Sequence, residues 1–471
     1  MSVVNFVRAV KEGSIDVLKT VETAIADAKK INDEYHYFNA FDETAIEQAR
    51  IVDKKVRKGA AGKLAGVLIS VKDCVCVKGV RSSAGSAILK DYTPLFDATA
   101  VEKCRKQDAI IIGKTAQDEF GFGGFSTNVG NGFKIPLNPI DKSRVCGGSS
   151  GGAAGLVQKA NFAHLAIAQS TGGSIVNPAA FCGVVGLCPT YGRVSRYGLI
   201  DYANSLDKIG TIAKNVSDAA LLLEVISGND LKDSTSSKNS FHAIEFKNNV
   251  RDLKIGIVKE AFGEGVEPRI ADRVRAAIKS LEDKGAQIVS ISLPTTFQYG
   301  ISAYYILAMC EASTNLAKYC GLRYGANSEL KGKFDEYFSA IRTQNFGVEA
   351  KRRILLGTFA RMAGYRDAYY IKAAKARTKI IQEYKSAFKQ CDVLATPTMP
   401  ILPPTFEEIN ELTPLQNYMA DILTVGPNLA GLPHISIPCD KIKDLPVGLQ
   451  LIGNHFEELE LLEVARAYEQ K

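Results

Sequence analysis

Residues 145–153 read Val-Cys-Gly-Gly-Ser-Ser-Gly-Gly-Ala, and residues 169–175 read Gln-Ser-Thr-Gly-Gly-Ser-Ile. Glycines beside serines let a backbone approach a reacting carbonyl group and present several N–H groups to one oxyanion. A serine in such a loop becomes a nucleophile only when a base takes its proton. Because a lone Gly-Gly-Ser is commonly just a tight turn, the interpretation depends on the rest of the chain.

Short apolar runs surround these two loops and alternate with helical stretches. The runs comprise residues 67–71, 109–112 and 165–168, followed later by 254–258, 287–291, 393–396 and 446–453. This alternation predicts an α/β fold with a large mixed sheet flanked by helices on both faces. Residues 1–60 and about 300–390 show helical spacing instead. We therefore expect a single domain over residues 1–471, with an N-terminal helical region and a helical insertion.

Composition narrows the class of protein without giving a function. The 471 residues carry 58 Lys and Arg against 51 Asp and Glu, and this net charge of +7 permits a tRNA partner without arguing for one. The ten cysteines form no Cys-x-x-Cys pair, which favours reduced, buried thiols over a zinc or disulfide framework. Cys74 and Cys76 alternate in an apolar run and are predicted on one side of a strand. With no recognisable targeting peptide and no apolar run of membrane length, we expect a cytoplasmic protein without a membrane partner.

Two other enzyme classes fit parts of the sequence. Residues 148–152 match the nucleophile elbow of α/β-hydrolases, but none of the four histidines that follow has the context of a catalytic histidine. Residues 113–115 read Gly-Lys-Thr after an apolar run, as in a P-loop, but that motif requires glycine where this chain has Asp108. Both classes are disfavoured.

Lys72 ends the apolar run Leu64-Ala-Gly-Val-Leu-Ile-Ser-Val-Lys72. A lysine in this position usually lays its stem along the strand and keeps its ammonium group in water. The alternative is a buried lysine whose pKa is lowered, so that the neutral amine can act as a base. The residues alone favour the first interpretation.

Lys72, the segment 147–152 and the segment 171–175 occur in the order typical of the amidase signature family, which this chain resembles. Longer segments resemble the glutamine-hydrolysing subunits of tRNA-dependent amidotransferases within that family. These segments are 186–199, 204–210, 352–359, 367–370, 428–433 and 445–453. The resemblance spans about residues 60 to 470 and implies the amidase-signature fold.

The resemblance implies a Ser–Ser–Lys catalytic triad. In this chain Ser174 would be the nucleophile, and Ser149, held by a cis peptide bond, would pass its proton to Lys72. The N–H groups of the loop from Thr171 through Gly172 and Gly173 would form the oxyanion hole. A non-catalytic scaffold is disfavoured because all three triad residues are present.

The resemblance also implies residues that recognise glutamine. Arg353 would bind the α-carboxylate and Asp421 the α-ammonium group, with Tyr304 nearby. Arg352 and Tyr305 are adjacent alternatives. From the residues alone, Arg353 would be taken for a helix-surface charge and Tyr304 for a core aromatic.

One departure from the family pattern lies beside the nucleophile. Many family members have an aspartate before the Thr-Gly-Gly-Ser segment and an arginine after the following isoleucine, where this chain has Ser170 and Val176. Losing one partner of an ion pair strands a charge, but losing both need not. We therefore expect activity to be retained.

The function implied is glutamine hydrolysis, releasing ammonia that converts Glu-tRNA(Gln) to Gln-tRNA(Gln), or Asp-tRNA(Asn) to Asn-tRNA(Asn). The implied complex is a heterotrimer with a B subunit, which would bind ATP, magnesium and most of the tRNA, and a small C subunit. No metal or cofactor is expected in this chain. The alternative is a stand-alone amidase that hydrolyses small amides.

Overall fold

The computed structural model describes residues 1–242 and 249–470. The helices are α1 (Val3–Lys11), α2 (Val17–Tyr35), α3 (Ala45–Arg57), α4 (Thr99–Lys106), α5 (Gly151–Lys159), α6 (Val176–Cys182), α7 (Val216–Ile226), α8 (Pro268–Asp283), α9 (Pro294–Asn315), α10 (Phe334–Asn345), α11 (Val348–Arg361), α12 (Lys372–Ala387), α13 (Phe406–Asn410), α14 (Pro414–Met419), α15 (Val425–Ala430) and α16 (Glu458–Glu469). The strands are β1 (Phe38–Phe41), β2 (Leu68–Lys72), β3 (Ile110–Thr115), β4 (His164–Ser170), β5 (Val185–Cys188), β6 (Lys208–Ala213), β7 (Lys254–Val258), β8 (Gln287–Ile291), β9 (Val393–Pro397), β10 (His434–Ile442) and β11 (Leu445–Gly453). In these residues no helix is both long and apolar enough to cross a membrane.

Within the described ranges, eleven strands form one sheet in the order β1-β3-β2-β4-β6-β5-β10-β11-β9-β7-β8. Strand β2 runs parallel to β3 and β4, and β7 runs parallel to β8 and β9. The pairs between β4 and β9 are antiparallel, as is β1 with β3. The predicted α/β fold with a large mixed sheet is confirmed.

The neighbouring strands β2 and β4 place the two glycine- and serine-rich loops beside Lys72. Every residue of β2 and β4 is buried, as expected for parallel strands covered on both faces. Their pairing sets Val71 opposite Ile167, so both strands end at the same edge. That edge brings the end of β2 next to the loop that follows β4.

One local prediction was incomplete, and another was wrong. Residues 1–60 are not purely helical, because β1 lies between α2 and α3 and pairs with β3. A four-residue strand has too few positions for its alternation to stand out, and its partner lies far along the chain. Cys74 and Cys76 lie beyond the end of β2, where the chain turns; both thiols are nevertheless buried.

The region between β8 and β9 is mainly helical, with α9 packed against α11 and α12. Gly357 lets α11 approach α9 closely, since a Cβ atom at that position would collide with the backbone of Met309. One sheet contains strands from both ends of the chain. We therefore propose that the chain is a single domain with residues 300–390 as a helical insertion.

Candidate active site

Lys72 is fully buried at the end of β2, so its ammonium group does not extend into water. Its Nζ atom lies 2.7 Å from Ser149 Oγ, 2.8 Å from the carbonyl oxygen of Gln169 and 3.0 Å from Gln169 Oε1. Burial lowers the pKa of Lys72 to about 8. The structure thus corresponds to the second of the two interpretations of this lysine, in which the neutral amine is available.

Ser149 reaches Lys72 from the loop before α5. The peptide bond between Gly148 and Ser149 is cis. A Cβ atom on Gly148 would lie 2.6 Å from the N atom of Ser126 and 2.8 Å from that of Phe125, so only glycine fits there. Gly148 N–H donates to the carbonyl oxygen of Gly124 at 2.7 Å, which ties this loop to the segment 123–126.

Ser174 lies in the loop between β4 and α6 and is 6% exposed. The Ser150 N–H donates to its carbonyl oxygen at 3.2 Å, joining the two serine loops. Among the described residues, the Ser174 hydroxyl has no hydrogen bond. The structure therefore contains the Lys72–Ser149 contact, while the Ser149–Ser174 link is not hydrogen-bonded.

The loop 171–174 presents its backbone toward the same space. No hydrogen bond within residues 1–242 and 249–470 uses the N–H groups of Gly172, Gly173 or Ser174. The ring of Tyr304 packs against Gly172, and Thr424 packs against Gly173, so a Cβ atom at either glycine would collide. These free donors can bind an oxyanion next to Ser174.

Gln169 and Asp207 form a buried network that the sequence did not reveal. Gln169 Nε2 donates to Thr171 Oγ1 at 2.8 Å and to Asp207 Oδ1 at 3.0 Å, and the Thr171 hydroxyl also donates to Asp207 Oδ1 at 2.7 Å. Burial raises the pKa of Asp207 to about 7, while hydrogen bonds from Thr171 and the Tyr202 N–H oppose this rise. In the sequence, this network was indicated only by two polar side chains next to apolar runs.

Arg353 is 2% exposed and is not a helix-surface residue. Its Nε donates to Glu349 Oε1 at 2.8 Å, and another of its nitrogens donates to the Tyr202 hydroxyl. Its guanidinium lies 5.2 to 5.7 Å from the ring centres of four aromatic residues, namely Phe122, Tyr202, Tyr305 and Tyr418. Arg352, the adjacent alternative, is partly exposed and pairs with Glu349.

Asp421 is buried and accepts hydrogen bonds from Tyr305 Oη at 2.6 Å and from Asn177 Nδ2 at 2.8 Å. Burial raises its pKa, and these two hydrogen bonds and Arg353 oppose the rise. The two neighbouring tyrosines have different contacts in the structure. Tyr304 contacts Gly172, whereas the alternative Tyr305 contacts both Asp421 and the Arg353 guanidinium.

A cavity of about 630 Å³ opens beside these residues. Its lining includes Gly124, Tyr305, Arg353 and Tyr418. Among the described residues that line it, Ser174 and Lys72 do not appear. A Cβ atom on Gly124 would lie 3.1 Å from Asp421 Oδ1, so the glycine keeps the inner end of the cavity next to this carboxylate.

Ser170 and Val176 fill the positions where many family members have a charged pair. The Ser170 hydroxyl lies 3.4 Å from Asn428 Oδ1, and Val176 is buried. The neighbouring Lys208, paired with Ser170 across β4 and β6, donates to the carbonyl oxygen of Leu432 at 2.9 Å. The two positions are neutral together, so neither leaves a charge without its partner.

In the part of the chain that the structure describes, no three His, Cys, Asp or Glu residues are grouped so as to hold a metal ion.

Comparisons with known proteins show which family the chain belongs to. Residues 19–462 match the family model described as Amidase. The chain is 46% identical to the A subunit of the glutamyl-tRNA(Gln) amidotransferase from Alkaliphilus metalliredigens, over 99% of this chain and 93% of that protein. It is 47% identical to the protein of the same name from Moorella thermoacetica, over 92% of this chain and 88% of that protein.

Solved structures give the same result. The A subunit of the glutamyl-tRNA(Gln) amidotransferase from Thermotoga maritima superposes with a TM-score of 0.80 at 34% identity, covering 97% of this chain and 92% of that chain. A peptide amidase from Stenotrophomonas maltophilia superposes with a TM-score of 0.81 at 27% identity, covering 100% of this chain and 96% of that one. The resemblance that the sequence indicated over about residues 60 to 470 is confirmed, and the chain belongs to the amidase signature family.

Proposed function

We propose that this chain is the glutamine-hydrolysing A subunit of a tRNA-dependent amidotransferase. The observation that carries the proposal is 46% identity, over 99% of the chain, to a protein named as such a subunit. The buried contact between Lys72 and Ser149 supports it, because burial lowers the pKa of Lys72 to about 8 and so favours the neutral amine that can take a proton from Ser149.

The proposed reaction begins at Ser174. Its hydroxyl oxygen attacks the carboxamide carbon of glutamine while its proton passes to Ser149, and Ser149 passes its own proton to the neutral amine of Lys72. The C–N bond breaks, and the proton returns through Ser149 to the departing nitrogen, which leaves as ammonia. Water then attacks the γ-glutamyl ester on Ser174 by the same proton path and releases glutamate.

The tetrahedral intermediate places a negative charge on the former carboxamide oxygen. The N–H groups of the loop formed by Thr171, Gly172 and Gly173 are the proposed donors to this oxygen, because those of Gly172 and Gly173 are unused. Each such donor typically contributes about 3 to 4 kcal/mol to the stability of the transition state.

Recognition of glutamine is assigned to the charged residues beside the cavity. Arg353 would bind the α-carboxylate through the guanidinium edge that Glu349 does not occupy, and Asp421 would bind the α-ammonium group. Tyr304 would shape the oxyanion loop, and Tyr305 would position Asp421. Arg353 and Asp421 favour glutamine over an apolar amide.

The rest of the proposed enzyme lies on other chains. The ammonia would convert Glu-tRNA(Gln) to Gln-tRNA(Gln), and Asp-tRNA(Asn) to Asn-tRNA(Asn) where the partner admits that substrate. A B subunit would bind ATP, magnesium and most of the tRNA, and a small C subunit would complete a heterotrimer in the cytoplasm. The relatives named as subunits of an amidotransferase support an assembly of several chains.

The test is glutamine-dependent ammonia release by the full-length chain, purified from its own cells with the proteins that bind it. We expect Ser174→Ala and Lys72→Ala each to lower kcat by at least about 1000-fold. Exposed counterparts, Ser14→Ala and Lys19→Ala, should retain full activity. Equal ammonia release by the wild type and Ser174→Ala would refute the triad. Hydrolysis of simple amides without preference for glutamine, and without effect of partners, would favour a stand-alone amidase.

A further inference from the structure

Gln169 supplies two of the three groups around the amine of Lys72. Its carbonyl oxygen lies 2.8 Å and its Oε1 atom 3.0 Å from Lys72 Nζ, and Ser149 Oγ completes the set at 2.7 Å. A charged ammonium group has three N–H donors, so all three contacts are satisfied in that form. The neutral amine has two N–H donors and one lone pair, so one of its three neighbours must face the lone pair.

The lone pair of the neutral amine can face only one of these neighbours. Both oxygens of Gln169 are acceptors and cannot donate to it, whereas the Ser149 hydroxyl can. The two N–H groups of the amine therefore point to Gln169, and the lone pair points to Ser149. That is the orientation in which Lys72 takes a proton from Ser149.

The amide of Gln169 is itself held in one orientation. Its Nε2 group donates to Thr171 Oγ1 and Asp207 Oδ1, while Asp207 also accepts from the backbone N–H groups of Tyr202 and Ala203. Turning the amide over would set its N–H groups against the donors of Lys72 and its oxygen against the Asp207 carboxylate. Both contacts would be repulsive.

We propose that Gln169 is a positioning residue, which orients the lone pair of Lys72 toward Ser149 and links Lys72 through Thr171 to the oxyanion loop. This inference rests on the proposed proton path through Ser149. The backbone carbonyl would contact Lys72 with any residue at this position, but a side chain that served only to fill the core would not need to add a second acceptor, Oε1.

The titratable groups that face Lys72 are Cys74, Asp118 and Asp207. Replacing Gln169 by leucine removes one acceptor of the ammonium form, so the pKa of Lys72 should fall. Replacing it by glutamate puts a carboxylate beside Lys72 and also next to Asp207. The two carboxyl groups would share a proton, and Asp207 can carry it because burial raises its pKa to about 7. The pKa of Lys72 should then rise.

The experiment measures kcat, KM and the pH profile of kcat/KM for glutamine-dependent ammonia release, using the full-length chain with its bound proteins. For Gln169→Leu we expect kcat to fall about 10- to 100-fold, KM to change little and the acidic limb of the profile to move to lower pH. For Gln169→Glu the acidic limb should move to higher pH. The opposite shifts distinguish positioning from a structural role, which would lower stability without moving the limb in opposite directions.

Gln48→Leu is the matched control, because Gln48 also makes several side-chain hydrogen bonds but lies on α3. It should lower Tm and leave the pH profile unchanged. If Gln169→Leu fails to fold, the pH profile of kcat/KM for the nearly isosteric Gln169→Glu tests the inference by itself. If the acidic limb of the pH profile does not shift in the variants while activity still depends on Ser174, this inference is wrong and the proposed function stands. If activity does not depend on Ser174, the proposed function itself is wrong.

Discussion

Arg353 Nε donates a hydrogen bond of 2.8 Å to Glu349 Oε1, one turn earlier on α11. Glu349 also accepts a hydrogen bond of 2.8 Å from the Tyr418 hydroxyl. The carboxylate thus fixes the plane of the guanidinium and balances its charge in a buried setting. The α-carboxylate of glutamine would have to bind the remaining edge of a cation that is already oriented.

Substituting Arg353 by lysine should raise KM for glutamine about 10- to 100-fold while kcat changes much less. The lysine keeps the charge but loses the planar fork, and a hydrogen bond to a charged group contributes about 1.5 to 3 kcal/mol. Steady-state kinetics with glutamine measures both constants. Arg352→Lys on the same helix turn is the control and should change KM less than about threefold, since Arg352 is partly exposed. The reverse result would assign carboxylate binding to Arg352.

The pH dependence should follow the neutral fraction of Lys72. Because burial lowers the pKa of this lysine to about 8, kcat/KM should rise as the pH increases toward 8 and level off above it. Below that pH the ammonium form cannot accept the proton of Ser149. Rate profiles between about pH 6 and 10 measure the effect. Lys72→Arg should be inactive at every pH, since arginine stays protonated; a wild-type profile with no rise through this range would contradict the assignment.

Gly172→Ala should reduce kcat strongly, by about 100-fold or more, because its Cβ atom would collide with the Tyr304 ring and displace an oxyanion donor. Gly300→Ala is the control, as it lies on the same helix as Tyr304 and its Cβ atom would approach no atom closer than 3.7 Å. We expect Gly300→Ala to keep full activity and to raise the free energy of unfolding by about 0.5 to 1 kcal/mol. Assays of ammonia release and thermal melts separate the two effects. Full activity of Gly172→Ala would exclude this loop as the oxyanion hole.

Asp421→Asn should weaken binding of glutamine more than binding of glutaramate, which lacks the α-ammonium group. The asparagine removes the negative charge that the ammonium group would meet, while the carboxamide to be hydrolysed is the same in both compounds. The ratio of kcat/KM for the two amides measures the effect, and it should fall about 10-fold or more in the variant. Asp440→Asn, at a partly exposed carboxylate, should leave the ratio unchanged. An unchanged ratio in Asp421→Asn would place the ammonium site elsewhere.

The sequence predicted strands such as β2 and β4 well, because their apolar runs are short and both faces of these strands are covered. The predicted runs did not include β5, β6 or β10, which lie in the middle of the sheet. The sequence could not predict the strand order, since β6 lies between β4 and β5 and β9 lies between β11 and β7. The order of the strands depends on tertiary packing, which cannot be recognised in a short stretch of sequence. The same holds for β1, which is stabilised by β3 from a distant part of the chain.

The candidate site, like the fold, could be predicted only in part. Lys72, Ser149 and Ser174 were predicted through the family resemblance that Lys72 and the two glycine-rich loops carry, but the residues alone favoured an exposed Lys72 over the buried one observed. Tyr304 and Tyr305 could not be told apart, as neighbours on a helix point about 100° from each other and only the packing shows which residue each one meets. Gln169 stood out only as a polar side chain at the end of a buried strand, because its proposed role depends on contacts with three other residues.

Glutamine recognition in this site would add two partners to a network that is already in place. Asp421 already accepts hydrogen bonds from Tyr305 and Asn177, and Arg353 is already paired with Glu349. An incoming molecule would engage both residues only by offering an ammonium and a carboxylate group at once, since a molecule with one of them would leave the other buried charge without an added partner. Selectivity of this kind comes from rejecting near-matches among the many other amides of a cell.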